Sequence, residues 1–385
     1  MSNQSRPEQT FEFRGTAREW FGIWIVNLLL SIITVGIYSA WAKVRRLKYF
    51  YNNTYMDGRN FNYHATGKQI LIGRLIFIAG YIVFSLAISL SPIVGGALAI
   101  ALLVVIPWLV VRAMKFNARM TSFSNVRFDF EGTVGKAAVV FILAPILAYA
   151  LIFGLAFAAI RIMANGNLGG GVAVLIAAGL VLPLAFAVYD RLLKLFSINN
   201  HLLGSAGFSL RISLGPFLVG QFVALAWILA VGGIGVSVTG FSFAAFEQAI
   251  AGLENGDSEP GDLGVIGLFY FLVFAAFIPA GFIYQTIVRN AVYSRTTMDG
   301  GHSFRSDIHP ARFFWIGVSN FAITVCSFGL LLPWTQIRMM RYLTAHTHVT
   351  PGGSLDDFIG EQVAAGNAVG DAFSDFEAVD VGLPI

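Results

Sequence analysis

The sequence predicts an all-α integral membrane protein of about eight transmembrane helices, arranged as four repeated helix-linker-helix units joined by short strand-like cytoplasmic linkers. Three observations lead there. Charged residues make up 12% of the 385 positions and hydrophobic residues 56%, with a mean hydropathy of +0.72, and a water-soluble chain of that composition has too little polar surface to cover itself. The apolar residues fall in blocks of roughly 20, the length an α-helix needs to cross about 30 Å of hydrocarbon. Lys and Arg collect in alternate connections between these blocks, as the positive-inside rule requires.

Taken in order, the apolar segments lie near 20–42, 70–91, 93–111, 137–160, 171–189, 214–240, 263–288 and 312–334. They divide the chain into an N-terminal segment (1–19), a polytopic domain (20–345) and an acidic, glycine-rich tail (346–385). The connections around Ser91-Pro92, around Asn165-Gly166-Asn167, and from Phe241 to Asp262 carry only one basic residue between them, Arg161. The remaining connections are basic. Lys43, Arg45, Arg46 and Lys48 follow the first segment, Lys115 the third, Lys194 the fifth and Arg289 the seventh, so these residues are expected to anchor the linkers at the cytoplasmic headgroups.

Two topologies compete for the terminal segments. Eight full crossings put both ends of the chain outside. Breaks at Thr34-Val35-Gly36 and Ser327-Phe328-Gly329 would instead make the first and last segments re-entrant and leave both ends inside, with nearly all basic residues in the cytoplasm. Crossing is the preferred expectation, because only six apolar residues separate Gly36 from Lys43 on a return leg.

An internal repeat runs through the basic linkers. Each opens on a basic-aromatic helix end such as Lys48-Tyr49-Phe50 or Lys194-Leu195-Phe196, and each continues into a short alternating stretch: Phe61-Asn62-Tyr63-His64, Phe128-Asp129-Phe130-Glu131, Phe208-Ser209-Leu210-Arg211 and Ser303-Phe304-Arg305. Alternation of this kind suits β-strands with one apolar face, or amphipathic linkers lying in the interface with their Lys and Arg reaching toward phosphate. Thr66 and Thr133 are placed to cap the helices that follow. Two further matches enlarge the pattern. A shift of 293 positions superposes Asn27 on Asn320, Gly36 on Gly329, Trp41 on Trp334, Arg45 on Arg338 and Tyr49 on Tyr342. Phe11-Glu12-Phe13-Arg14-Gly15-Thr16 echoes Phe128-Asp129-Phe130-Glu131-Gly132-Thr133, which favours the re-entrant topology if matching motifs share a compartment.

The stretches Phe13-Arg14-Gly15-Thr16, Gly22-Ile23-Trp24, Val26-Asn27-Leu28, Gly36-Ile37-Tyr38-Ser39 and Trp41-Ala42-Lys43-Val44-Arg45-Arg46 resemble the YjgN family of bacterial inner-membrane proteins. The likeness is strongest over about the first 60 residues, through Met56-Asp57-Gly58, and runs more loosely to Thr347. It implies a multi-pass protein of the bacterial inner membrane and carries no residue-level activity.

Chemistry is sparse. Asn27, Asn320, Gln221 and Gln285 are the neutral polar side chains within the apolar segments best placed to line a shared cavity, or else to act as packing glue between helices. Pro279-Ala280-Gly281 is a candidate transporter-like helix break. His346 and His348 form the one close histidine pair, without cysteine or clustered carboxylate company, and the single cysteine, Cys326, has no partner. No metal, cofactor or catalytic residue is expected, and no enzyme. The first ten residues lack the pattern of a cleavable signal peptide. A net charge of +4 spread over helix ends gives no nucleic-acid surface. The tail from Pro351 offers short amphipathic helices near Leu355–Val363 and Ala372–Val379, or a disordered contact segment for a protein partner. The bilayer is the expected partner and the substrate is unknown. Two function classes follow: a transporter or channel, and a non-catalytic envelope scaffold.

Overall fold

The computed structural model describes residues 7–257 and 259–374. The chain begins with two very short strands, β1 (Gln9–Thr10) and β2 (Glu12–Phe13), and then alternates helical hairpins with β-hairpins. Helices α1 (Ala17–Ile33) and α2 (Ser39–Asn52) lead to β3 (Thr54–Met56) and β4 (Arg59–Tyr63); α3 (Gly67–Leu90) and α4 (Pro92–Arg119) lead to β5 (Thr121–Phe123) and β6 (Val126–Phe130). Next come α5 (Val134–Ala138) and α6 (Ala144–Ala164), fused by a π-helical turn, then α7 (Leu168–Ile198), β7 (His201–Leu203) and β8 (Ala206–Leu210). Helices α8 (Gly215–Thr239), α9 (Phe243–Asn255) and α10 (Asp262–Tyr293) precede β9 (Thr296–Met298) and β10 (His302–Ser306). The chain closes with α11 (Pro310–Cys326), α12 (Leu332–Ala345), β11 (Thr347–Thr350) and α13 (Leu355–Ser374).

Among the described residues six helices are long and apolar enough to cross a membrane: α3, α4, the fused α5–α6, α7, α8 and α10. Only 6% to 17% of their most apolar windows is buried within the protein. Apolar surface on that scale needs lipid around it.

The first and eighth apolar segments do not run through, against the preferred expectation of eight crossings. In each, the helix stops, turns and packs back on itself. Val35 (φ 50°) and Gly36 (φ 88°) make the first turn, and Phe328 (φ 51°) and Gly329 (φ 85°) repeat it in the last. The 293-residue offset is therefore a copied reversal. Tyr49, near the end of α2, hydrogen-bonds Thr16 at the start of α1, so both ends of this hairpin lie at the same level. The length argument for crossing assumed that a return leg must be apolar throughout. The seven residues from Gly36 to Lys43 rise about 10 Å, about a third of the length a crossing needs.

The linkers are strands, and they build one structure. Eleven strands pair in the order β1-β11-β10-β9-β8-β7-β6-β5-β4-β3-β2, antiparallel at each junction. The strands at the two ends of that order, β1 and β2, are separated in sequence only by Phe11, whose amide donates to the Thr347 carbonyl. The sheet is thus closed into a ring with no free edge. Closure adds a fifth unit to the four legible in the linkers, because β11 and the N-terminal strand complete a hairpin from opposite ends of the chain. Two-residue turns with both φ values positive, at Asp57-Gly58 and Ser124-Asn125, are the form that matches strand twist in a hairpin.

Side-chain bonds repeat from unit to unit. Thr54 donates to the carbonyl of Phe50, Thr121 to Asn117, His201 to Ser197, Thr296 to Val292 and Thr347 to Leu343, each four residues back on the helix that delivers the strand. Five helix-end carbonyls gain a side-chain donor this way. At the other end of the linkers, Thr16, Thr66 and Thr133 accept from first-turn amides of α1, α3 and α5. The caps expected at Thr66 and Thr133 are present.

Candidate functional site

Alternation along the strands sorts three layers. In β6, Val126 meets the cluster around α13, Phe128 faces the ring interior, and Phe130 packs with Ala118, Ala137 and Phe196 against the helices. The same middle position holds Phe11, Phe61, Phe208 and Phe304 in the other units. These rings sit side by side, with centroids 6.0 Å apart for Phe11–Phe61, 6.4 Å for Phe61–Phe128, 6.4 Å for Phe128–Phe208 and 5.8 Å for Phe208–Phe304. At such spacings aromatic pairs attract.

On the helix side of this phenylalanine belt lies a cavity of about 660 Å³. Its wall is contributed by the ends of α2 (Phe50, Tyr51), α7 (Ser197, Ile198), α10 (Arg289, Val292, Tyr293) and α12 (Met340, Leu343, Thr344), with Thr54, His201, Thr296 and Thr347 below them. Arg289 is the only charged side chain lining it among the described residues. The guanidinium donates to Thr347 Oγ1 at 2.8 Å and lies 4.4 Å from the centre of the Tyr293 ring, while its Nε is buried with no partner.

On the opposite side of the belt, α13 fills the ring. Leu355, Phe358 and Ile359 are buried among Met56, Phe123, Val126, Leu203, Met298 and Val349. Polar contacts fix the helix at three hairpins. Asp356 pairs with Arg59, and Gln362 Oε1 accepts from the Ser205 amide and hydroxyl at 2.7 and 2.8 Å. The His302 ring stands edge-on to Phe358 with centroids 4.5 Å apart and accepts from the Gly352 amide. Burial holds His302 below the usual imidazole range, so the ring is neutral and its Nδ1 is free to accept. The close approach beside it needs glycine, since a Cβ on Gly352 would fall 2.2 Å from the Gly300 carbonyl oxygen.

Residues 8–376 match the family of bacterial proteins of unknown function designated DUF898. This chain belongs to that family. The DUF898 chain is 28% identical to the inner membrane protein YjgN of Salmonella typhimurium strain LT2 over 92% of its own length and 91% of the relative's. It is 26% identical to YjgN of Escherichia coli O157:H7, over 91% of this chain and 90% of that one, and 36% identical to YjgN of E. coli K12 across 32% of each. No solved structure matches the DUF898 chain.

The polar residues singled out from the DUF898 sequence lie apart from the belt. Asn27 is buried between α1 and its neighbours in a second, smaller pocket. Asn320 donates to the Thr335 carbonyl and accepts from Arg338. Gln221 is half-buried on α8 and Gln285 is exposed on α10. None of the four lines the axial cavity. Of the basic anchors, Arg289 reaches the axial cavity, Lys43 and Arg46 line the smaller pocket, Arg45 lies over Tyr38 and Lys194 pairs with Asp190 at 3.9 Å. Lys48 is exposed and Lys115 half-buried. The phenylalanine belt was missed in the sequence although every alternating stretch contains one. The signal was the shared middle position, which acquires meaning only once the strands close into a ring. The tail helix expected near Ala372–Val379 lies partly outside the described residues, and α13 runs unbroken from Leu355 to Ser374.

Proposed function

We propose that this chain is a gated conduit of the bacterial inner membrane, a channel or transporter built as a single-chain ring of five units. The phenylalanine belt between the axial cavity and α13 carries the reading. Apolar constrictions of this kind gate by excluding water, and a helix seated on the far side adds a second closure. The arrangement favours a conduit over a scaffold, because a scaffold has no need of an axial cavity with a lone cation in its wall. The relatives named inner membrane proteins supply the location. Orientation follows from charge: the ring and its Lys- and Arg-bearing hairpins face the cytoplasm, while α9 and the other far-side connections, poor in basic residues, face outward.

The test is solute efflux from liposomes holding either the full chain or a chain ending at Gly353, which lacks α13. Efflux appearing only with the shortened chain supports the conduit. Two folded, correctly inserted proteins that both leave the liposomes tight would return the scaffold reading.

A further inference from the structure

We propose that the pocket between α1, α2 and the start of α3 is a binding site for an anionic phospholipid headgroup, a phosphodiester that also carries a hydrogen-bond donor such as a hydroxyl. The pocket holds about 320 Å³, at the lower end of the range for small-ligand sites. Lys43, Arg46 and Arg74 line it together with Asn27, Ser31 and Ser39. Among the described residues none of the three cations forms an ion pair, and Arg74 is oriented by a hydrogen bond to Ser39. Three cations converging without a carboxylate call for an anion, and Arg and Lys are the groups that recognise phosphate.

Asn27 supplies the independent observation. Its side chain is 5% exposed, and its Oδ1 is buried with no donor. Native proteins rarely leave such an atom unpaired. An amide oxygen takes a donor, which inorganic phosphate at neutral pH offers poorly and a headgroup hydroxyl offers well.

The duplicated hairpin shows what the same scaffold looks like when closed. There Asn320, the counterpart of Asn27, receives Arg338 at 3.1 Å. Gln336, the counterpart of Lys43, has its Oε1 taken by the Trp20 indole at 2.7 Å. Met339 stands where Arg46 does, and Leu332 where Ser39 does. One copy satisfies its asparagine with its own Arg338 and holds neutral residues at the Lys43 and Arg46 positions. The other has an unpaired, buried acceptor on an asparagine that shares its pocket with three cations.

Depth agrees with a lipid source. Lys43 lies seven residues from Gly36 at the hairpin tip, about 10 Å, in the basic part of α2, and basic pockets between helices on the cytoplasmic face are suited to anionic lipid. This inference is independent of the conduit reading.

Native mass spectrometry of the full chain, titrated separately with phosphatidylglycerol, phosphatidylcholine and inorganic phosphate, tests it. One phosphatidylglycerol binds at least tenfold more tightly than phosphatidylcholine, and free phosphate fails to displace it. Arg46→Ala with Lys43→Ala, both exposed and harmless to folding, and Asn27→Leu each weaken that binding about tenfold, whereas Arg45→Ala, on the same helix but over Tyr38, leaves it unchanged. Equal binding of the two lipids, or equal loss in Arg45→Ala, overturns the site. Displacement by free phosphate overturns the lipid source and points to a soluble phosphate ligand.

Discussion

The phenolic oxygen of Tyr49 lies 2.8 Å from the Thr16 amide nitrogen and 2.9 Å from the Thr16 carbonyl oxygen, accepting from the first and donating to the second. One side chain thereby ties the end of α2 to the start of α1, and Tyr342 repeats the tie to His309 at 3.0 and 3.3 Å. Burial, with Glu19 adding to it, pushes the Tyr49 hydroxyl up to about 12, so the phenol keeps its proton throughout the physiological range. Tyr49→Phe leaves the Thr16 amide without a partner, the carbonyl keeping the Trp20 amide, and is expected to cost about 1–3 kcal/mol. A lowered midpoint in thermal unfolding of the detergent-solubilised protein checks it, and Tyr342→Phe gives the same direction.

The seat of α13 is pH-dependent through His302. Its imidazole titrates below the ordinary 6.5 because it is buried, so the docked state binds fewer protons than the released one between that lowered value and 6.5. Docking is fully stable above 6.5 and weakens as the pH falls through this window. Acidification from pH 7.5 to 5 therefore increases protease cleavage after Pro351, and His302→Gln flattens the dependence. A cleavage rate that is independent of pH in the wild type removes His302 from the latch.

In the proposed conduit, Arg289 is expected to set ion selectivity. A single guanidinium with a free Nε in an otherwise uncharged wall favours anions over cations in whatever passes. In the chain ending at Gly353, reversal potentials under a salt gradient lie on the anion side, and Arg289→Gln shifts them toward zero. Phe128→Ala with Phe208→Ala widens the belt in the same background, raising conductance without changing the sign of selectivity.

Both sides of the membrane are open to labelling. In a Cys326→Ser background, a cysteine placed at Glu254 on α9 reacts with an impermeant maleimide in intact cells, while one at the exposed Asn60 of β4 reacts only after lysis. Labelling of position 60 from outside would invert the assigned orientation.

Much of the scaffold was written locally. Thr66 and Thr133 announce their caps because a cap is an interaction over three residues, and Phe128-Asp129-Phe130 announces a strand because alternation is read within one segment. Asn27 and Asn320 were paired by sequence offset, but Asn320 is met by Arg338 while the equivalent Arg45 lies over Tyr38, a difference that only packing decides. The reversal at Val35 was named as a candidate break but not preferred, since a turn made of apolar residues leaves an apolar segment as long and as greasy as a crossing helix.

The sequence by itself determined that the chain lives in lipid, that it holds several spanning segments, and that basic strand-like linkers alternate with poorly charged connections, because composition, segment length and charge act locally and additively; that six segments rather than eight run through was decided by the structure. The tertiary structure alone decided that Phe11 joins the two ends of the sheet, that five phenylalanines from distant positions become a single belt, and that α13 occupies its mouth. Those are contacts between residues as far apart as Thr10 and His348, and ring closure is a property of the whole circuit that no local pattern contains.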